Sequence, residues 1–226
     1  NGAGKTNILD ALHYLSMAKS FLGNLDAQNI LHESDFFAIE AEIQGEEKND
    51  IIKVQLPKEG KKIIKKNDKT YERIADHIGF LPSVMISPYD SNLISDGSES
   101  RRKFLDVMIS QTDSDYLFAL IQYQKTLQQR NALLKYFAKN RTFDLDSLEI
   151  YNDPLNKFGT QIFEKRQRFV ASILPTIQHF YEIISKGNEK VTVIYESNLN
   201  EQNFEEILSE NLEKDRVLTY TSRGIH

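Results

Sequence analysis

The first seven residues have the types and spacing of a loop that binds phosphate. They are Asn1, Gly2, Ala3, Gly4, Lys5, Thr6 and Asn7, and they match the second half of the pattern G-x-x-x-x-G-K-[ST]. In such a loop the glycines let backbone N–H groups turn towards phosphate oxygens. The lysine reaches the β- and γ-phosphates, and the threonine hydroxyl can bind Mg²⁺. We therefore predict that residues 1–7 bind nucleotide phosphates, with Thr6 as a metal ligand; the alternative is a chance glycine turn before a helix.

A helix must begin at this loop, because its first N–H groups and its dipole complete the anion site. The apolar residues that follow are spaced as one helical face, and they are Ile8, Ala11, Leu12 and Leu15. The helix is predicted to run from about Asn7 to about Lys19, before the turn Gly23-Asn24. Since such a loop also follows a buried strand, we expect the chain to be a fragment that lacks at least one N-terminal strand.

The composition is that of a soluble globular protein. Of its 226 residues, 40% are apolar and 27% are charged, and there is no cysteine. No signal peptide or long apolar run is visible, which favours a cytoplasmic location and no membrane association. A net charge of −5 excludes a surface that is basic all over, so any contact with DNA has to use a local patch.

One such patch is the stretch from Lys58 to Lys69. It holds six lysines and two acidic residues, a net charge of +4. It could contact the DNA backbone in a salt-sensitive way without sequence preference. The alternative is a solvated hairpin whose lysines discourage pairing with another sheet edge. Residues 196–215 carry seven acids and one lysine, which favours a solvated acidic face.

The order of elements predicts an α/β nucleotide-binding lobe that is interrupted by a helical lobe. Alternating residues predict an antiparallel β-meander from strands near 36–43, 51–56 and 63–64. Further strands are predicted at 83–87 and 190–195, and a short helix at 204–212 capped by Asn203. Helices are predicted between 98 and 185, the last from about 148 to 185 with Pro175 kinking or interrupting it. We accordingly divide the chain into residues 1–97 (P-loop and meander), 98–185 (helical lobe) and 186–226 (a truncated return to the α/β lobe).

Arg101 and Arg102 lie in the first turn of the helix that begins near Ser98. Cations there oppose the helix dipole, so a partner has to offset the cost. We predict that at least one of them forms a buried clamp with a carboxylate, for instance Asp90. The alternative is an outward arginine that contacts nucleotide, DNA or a partner protomer.

Several stretches together resemble the RecF family of compact, SMC-like, ABC-type ATPases. The P-loop with asparagine on both sides resembles the SMC-like ATPases generally. The segments that resemble RecF itself are Pro88, Asp90 and Leu93, then Arg101 to Asp106, Tyr123 to Asn131, and Thr221 to His226. The helical span is also too short for the long coiled coil of SMC proteins. The chain departs from the family pattern at Leu22, Gly97 and Ser98.

The resemblance implies a function for the whole protein. ATP would lie between the P-loop of one protomer and the signature loop of another, so ATP would drive homodimerisation. The signature loop and the acidic catalytic residues are expected beyond His226, and no catalytic residue is assigned within the chain. The whole protein would be a weak DNA-dependent ATPase that binds single-stranded and gapped double-stranded DNA. It would act in replication, DNA-damage repair and the SOS response with RecR, and through RecO and RecR would help RecA to load.

Three alternatives stay open at this level. One is another compact SMC-like or ABC-type ATPase of DNA maintenance with other partners. A second is a P-loop kinase or GTPase, although such enzymes seldom carry so long a helical insertion. The third is an interaction module without enzymatic activity.

Overall fold

The structure is a computed structural model, and it describes residues 4–23 and 25–225. Its strands are β1 Phe36–Gln44, β2 Asn49–Pro57, β3 Ile63–Lys66 and β4 Lys69–Thr70. Its helices are α1 Lys5–Met17, α2 Asn92–Ser95, α3 Ser98–Ser110, α4 Ser114–Asn140, α5 Leu145–Glu149, α6 Asn152–Ser185, α7 Phe204–Glu210 and α8 Leu212–Leu218.

The four strands form one antiparallel sheet in the order β1-β2-β3-β4. In its register Val54 lies opposite Ile39 on one side and Ile64 on the other. Side chains of a strand alternate between two faces, so Ile52, Val54 and Ile64 are buried on the same face. The predicted meander is confirmed.

The chain forms two compact units. The first takes the residues up to 95 together with 110–114, and the second takes 96–109 and the residues from 115 onwards. In the first unit, the second half of α1 packs on the buried face of the sheet through Tyr14, Leu15 and Ala18. The division into residues 1–97, 98–185 and 186–226 stays a prediction.

The second unit is built from helices that pack around the N-terminal halves of α4 and α6. Its core includes Tyr116, Tyr123, Ile162 and Phe204. Gly159 lets α7 approach α6 closely, since a Cβ there would lie 2.4 Å from the Phe204 ring. The predicted cap of α7 is confirmed, because the Asn203 side chain accepts a hydrogen bond from the Glu206 N–H.

The predictions for three helical details need correction. The helix predicted from 148 to 185 is divided into α5 and α6, and α6 continues through Pro175. The helix α8 was not predicted, because α7 and α8 are only seven residues each and are separated by Asn211 alone.

The two strands predicted outside the meander, at 83–87 and 190–195, are wrong. Residues 83–87 and 190–195 form no strand, and the side chains of Val84, Ile86 and Ile194 are 70%, 83% and 73% exposed. A strand needs hydrogen bonds to a neighbouring strand. Within residues 4–23 and 25–225, neither segment pairs with a strand. Both segments have the apolar and β-branched residues that strands favour, but the pairing that a strand requires is not there.

In the described part of the chain, no helix combines the length and apolar character that crossing a membrane requires.

Candidate functional site

Gly4 forms the turn into α1. Its φ of 74° lies in the left-handed region, which glycine enters without the clash that a Cβ would cause. Its carbonyl accepts the first helical hydrogen bond, from the Ile8 N–H at 3.1 Å. The predicted site residues Asn1, Gly2 and Ala3 lie outside the described residues.

The first turn of α1 brings Lys5, Thr6 and Asn7 together at an exposed helix end. The N–H groups of a first turn have no acceptor within their own helix. The N-cap residue is a glycine and the first turn holds no acidic residue, so no side chain of residues 4–8 compensates the positive end of the helix dipole. This arrangement suits an external anion, with the ammonium group of Lys5 beside it.

Thr6 offers one hydroxyl oxygen at this helix end. No cluster of three or more histidine or acidic side chains suited to a metal is found in residues 4–23 and 25–225. Mg²⁺ commonly takes few protein ligands and completes its shell with substrate phosphates and water. Thr6 therefore fits the role of a single protein ligand beside bound phosphates.

A polar network fixes the second half of α1 to the sheet. The Tyr14 hydroxyl donates to Asp26 at 2.7 Å, and the Lys62 ammonium group lies 2.7 Å from the other oxygen of Asp26. The same ammonium group lies 4.7 Å from the centre of the Tyr14 ring. Although burial alone would raise the pKa of Asp26, the hydrogen bonds from Lys62 and Tyr14 hold it below its usual value.

A second set of contacts comes from the segment that follows β4. The His77 ring nitrogen Nε2 lies 2.6 Å from the Leu15 carbonyl. The Ser16 hydroxyl donates to the Leu81 carbonyl at 2.7 Å, and the Ser83 hydroxyl donates to Ser16 at 2.8 Å. These contacts join residues 62 to 67 positions apart, and they hold the end of α1 that lies away from the loop.

The predicted apolar face of α1 is only partly buried. Leu15 is buried, whereas Ile8 and Leu12 are 64% and 53% exposed. The helical period was right, but no described residue buries Ile8 or Leu12 in the first two turns. The anchored half of α1 thus positions an exposed half that carries the loop residues.

The lysines of the predicted basic patch divide into two groups. Lys62 is buried against Asp26, and Lys66 pairs with Asp50 at 3.1 Å while its ammonium group lies over the Phe80 ring. The other four lysines of the patch, whose side chains make no hydrogen bond or ion pair to any described residue, are Lys58, Lys61, Lys65 and Lys69. Only this second group is available to a ligand.

The buried clamp that was predicted for Arg101 or Arg102 is wrong. Arg101 is exposed and donates to the Asp96 carbonyl at 3.0 Å, and the half-buried Arg102 donates to the Ser98 hydroxyl at 2.7 Å. Both contacts lie within five residues along the chain. They offset part of the cost of placing the two arginines at a helix start.

The buried arginine–carboxylate pairs belong to other arginines. Arg130 of α4 is fully buried, with its guanidinium 2.7 Å from Asp215 and 2.6 Å from the Thr221 hydroxyl. Arg166 of α6 lies 2.7 Å from Asp106 and also donates to the Ile225 carbonyl at 3.0 Å. The two pairs hold the segment 221–225, and the sequence offered no local signal for them.

Comparison with known proteins identifies the family. The chain is 51% identical over 226 residues to the DNA replication and repair protein RecF of Flavobacterium johnsoniae, and 44% identical over 229 residues to that of Phocaeicola vulgatus. A solved structure described as the recombination mediator protein RecF-ATPrS in the RecFOR pathway matches with a TM-score of 0.93 and 30% identity. The chain belongs to the RecF family.

All of this chain is covered in each match, but it spans 63% of the F. johnsoniae relative and 60% of the P. vulgatus relative. It also covers 63% of each of two RecF structures, the second described as RecF-ATP and matching with a TM-score of 0.89. No protein-family model matches the chain.

The match to RecF shows the fold class that the sequence predicted, that of an ABC-type P-loop ATPase. The meander and the helical region are parts of this fold. Membership of the RecF family also decides against the other ATPase families, the kinases and the GTPases that the sequence left open.

Proposed function

We propose that this chain provides the nucleotide-binding loop of an ATP-dependent DNA-binding protein of recombinational repair and replication-gap processing. The observation that carries the proposal is the exposed first turn of α1, where Gly4, Lys5 and Thr6 surround an uncompensated helix end. Its relatives are named DNA replication and repair protein RecF, and one structural match is described as RecF-ATP. These names support ATP as the nucleotide.

The chemistry of the loop is binding and orientation. The first-turn N–H groups and Lys5 would hold the phosphates, and Thr6 would bind Mg²⁺ with Asn7 beside it. A bound Mg²⁺ neutralises phosphate charge. The buried half of α1 keeps these groups in place, because Tyr14 and Leu15 are fixed to the sheet and to the segment at His77.

For the whole protein we propose ATP-driven homodimerisation on DNA at single-stranded and gapped double-stranded sites. In this role it would act in the cytoplasm with RecR, and through RecO and RecR it would help RecA to load. The structural relatives named for the RecFOR pathway support this assignment of partners.

The first test is nucleotide binding by lysine variants. Lys5→Ala removes the point charge on the phosphates and is expected to weaken ATP binding by at least about tenfold, since a hydrogen bond to a charged group contributes roughly 1.5–3 kcal/mol. Lys5→Arg keeps the charge and is expected to impair hydrolysis by the complete protein more than binding. Isothermal titration measures the affinity. Lys19→Ala, an exposed lysine just beyond the other end of α1, is the matched control.

The metal ligand is tested in the same assay. Thr6→Ala should abolish the gain in ATP affinity that Mg²⁺ gives, whereas Thr6→Ser keeps a hydroxyl and should retain it. Wild-type affinity in Lys5→Ala, with the Mg²⁺ effect intact in Thr6→Ala, would show that nucleotide does not bind at this loop.

A further inference from the structure

A groove lies between α8 and the C-terminal end of α4. One side is lined by residues 134–143 and the other by residues of α8. We call it the α4–α8 groove. Its volume is about 440 Å³, within the size range of sites that accept a bulky group. Its lining residues are mainly the apolar Leu134, Phe137, Phe143 and Val217 and the charged Arg141, Glu213 and Arg216.

The walls of the groove are fixed before any partner arrives. The buried Arg130–Asp215 pair ties α8 to α4 at 2.7 Å. Leu212, at the start of α8, packs against the cluster of Leu134 and Phe137. A preformed groove loses little conformational freedom on binding, which is a property of docking sites.

Two guanidinium groups border the apolar floor. Arg141 follows α4 in the left-handed region with φ 53°, and its side chain has no hydrogen bond or ion pair to any residue in 4–23 or 25–225. Arg216 lies 3.9 Å from the Phe143 ring centre and is held 2.6 Å from Glu213. The groove therefore offers an available cation beside an apolar surface.

We propose that the α4–α8 groove docks a segment of a partner protein that presents an apolar or aromatic side chain next to a carboxylate. The apolar side chain would pack against the half-buried Phe143 and the exposed Val217, above the buried Leu134 and Phe137. The carboxylate would pair with Arg141, whose planar guanidinium suits bidentate contact with a carboxylate.

The charge around the groove favours a short acidic peptide over nucleic acid. Helices α7 and α8 together, residues 204–218, hold five acidic and two basic residues, a net charge of −3. A long polyanion would have to cross this acidic stretch and would be repelled. A peptide with one or two carboxylates needs only the cations at the groove itself.

The test is a selection from a displayed random-peptide library on the wild-type protein, followed by affinity measurements on synthetic copies of the enriched peptides. The expected peptides combine an aromatic or large aliphatic residue with neighbouring Asp or Glu. Arg141→Asn removes the charge with a residue that tolerates the left-handed backbone. It is expected to lower affinity by about tenfold, as for a lost charge-assisted hydrogen bond. Arg141→Lys should retain part of the affinity.

Two further variants complete the design. Val217→Asp places a negative charge on the groove wall at a side chain that is 81% exposed, so it should reduce binding without unfolding the protein. Arg168→Asn, an exposed arginine on α6 paired with Glu164, is the matched control and should bind normally. Melting temperatures confirm folding.

Three outcomes would overturn the proposal. The first is a selection that enriches no peptide, or only peptides without acidic residues. The second is unchanged binding of the enriched peptides to both Arg141→Asn and Val217→Asp. The third is binding of a fluorescent oligothymidylate that Arg141→Asn abolishes, which would make the groove a nucleic-acid site. None of these measurements needs nucleotide, so the result is independent of the proposed function.

Discussion

At the scale of single residues, His77 shows how the far end of α1 depends on one neutral imidazole. The ring is fully buried, with Nε2 at the Leu15 carbonyl and with Tyr71 and Phe80 against its faces. Burial lowers the pKa of His77 below its ordinary value of 6.5, the hydrogen bond to Leu15 opposes this shift, and the charge of Lys66 adds to it.

The pKa shift predicts a loss of stability in mild acid. Above pH 6.5 the histidine is neutral in both states and contributes no pH dependence. Below pH 6.5 the unfolded state binds a proton that the folded state refuses, so the free energy of unfolding falls by up to about 1.4 kcal/mol per pH unit. This loss continues until pH reaches the lowered folded-state pKa.

Urea unfolding of wild type and His77→Gln between pH 7.5 and pH 5 measures the effect. Glutamine can still donate a hydrogen bond but does not titrate in this range. The variant should therefore show a smaller slope of unfolding free energy against pH than wild type. His179→Gln changes an exposed histidine and should leave the slope unchanged. His13 also has a lowered pKa, so its own Gln variant is measured alongside. An identical slope in His77→Gln would contradict the prediction.

The two buried arginines show what single residues did not reveal in the sequence. The expected clamp was placed at Arg101 and Arg102 because they lie at a helix start, where a local rule applies. Arg130 and Arg166 lie in the middle of long helices, and their partners Asp215 and Asp106 are 85 and 60 positions away. Only the packing of α4 with α8, and of α6 with α3, makes those pairs.

At the scale of elements, the same distinction between local and distant causes explains which predictions held. The turn at Gly4, the alternation of β1 to β3 and the Asn203 cap depend on residues that are near in sequence, and all three were predicted correctly. The strands at 83–87 and 190–195 were predicted from their apolar and β-branched residues, but composition cannot supply the neighbour that a strand requires. The contacts from His77 and Ser83 to α1 were missed for the same reason.

The hairpin that follows β2 now gives a sharper prediction about DNA. Its outward lysines Lys61 and Lys65 are unpaired among the described residues, whereas Lys62 and Lys66 hold carboxylates of the first unit. Lys61→Glu with Lys65→Glu should weaken binding to gapped DNA and reduce the dependence of log K on log salt by roughly 0.9 for each lost phosphate contact. The melting temperature should stay unchanged.

The matched controls separate DNA contact from stability. Lys125→Glu with Lys135→Glu makes the same charge change at exposed positions on α4 and should leave the salt dependence as in wild type. Lys62→Glu should lower the melting temperature, because it places a second negative charge against Asp26. If the salt dependence of Lys61→Glu with Lys65→Glu equals that of wild type, the hairpin is a protected sheet edge.

At the scale of the whole molecule, the proposed nucleotide-binding loop and the residues expected to activate water for hydrolysis are separate parts of the protein. The resemblance to ABC-type ATPases implies an apolar strand that ends in Asp-Glu and supplies the metal-ordering acid and the base. The 226 residues contain no Asp-Glu pair. Binding and turnover are therefore expected to separate in this chain. The loop residues supply affinity, whereas a positioned base is needed to raise the rate.

We predict that the 226-residue chain binds ATP with an affinity that depends on Lys5 but hydrolyses it more slowly than about 1 per second, near the low end of typical enzymes. Adding gapped DNA should not raise the rate, because DNA can only speed a step for which the catalytic groups are present. Phosphate release measured on wild type and Lys5→Ala distinguishes the chain's own turnover from a contaminant, since only the former is lost in the variant. Turnover at or above about 1 per second that Lys5→Ala abolishes would mean that the chain holds a catalytic base that neither its sequence pattern nor the geometry of its loop reveals.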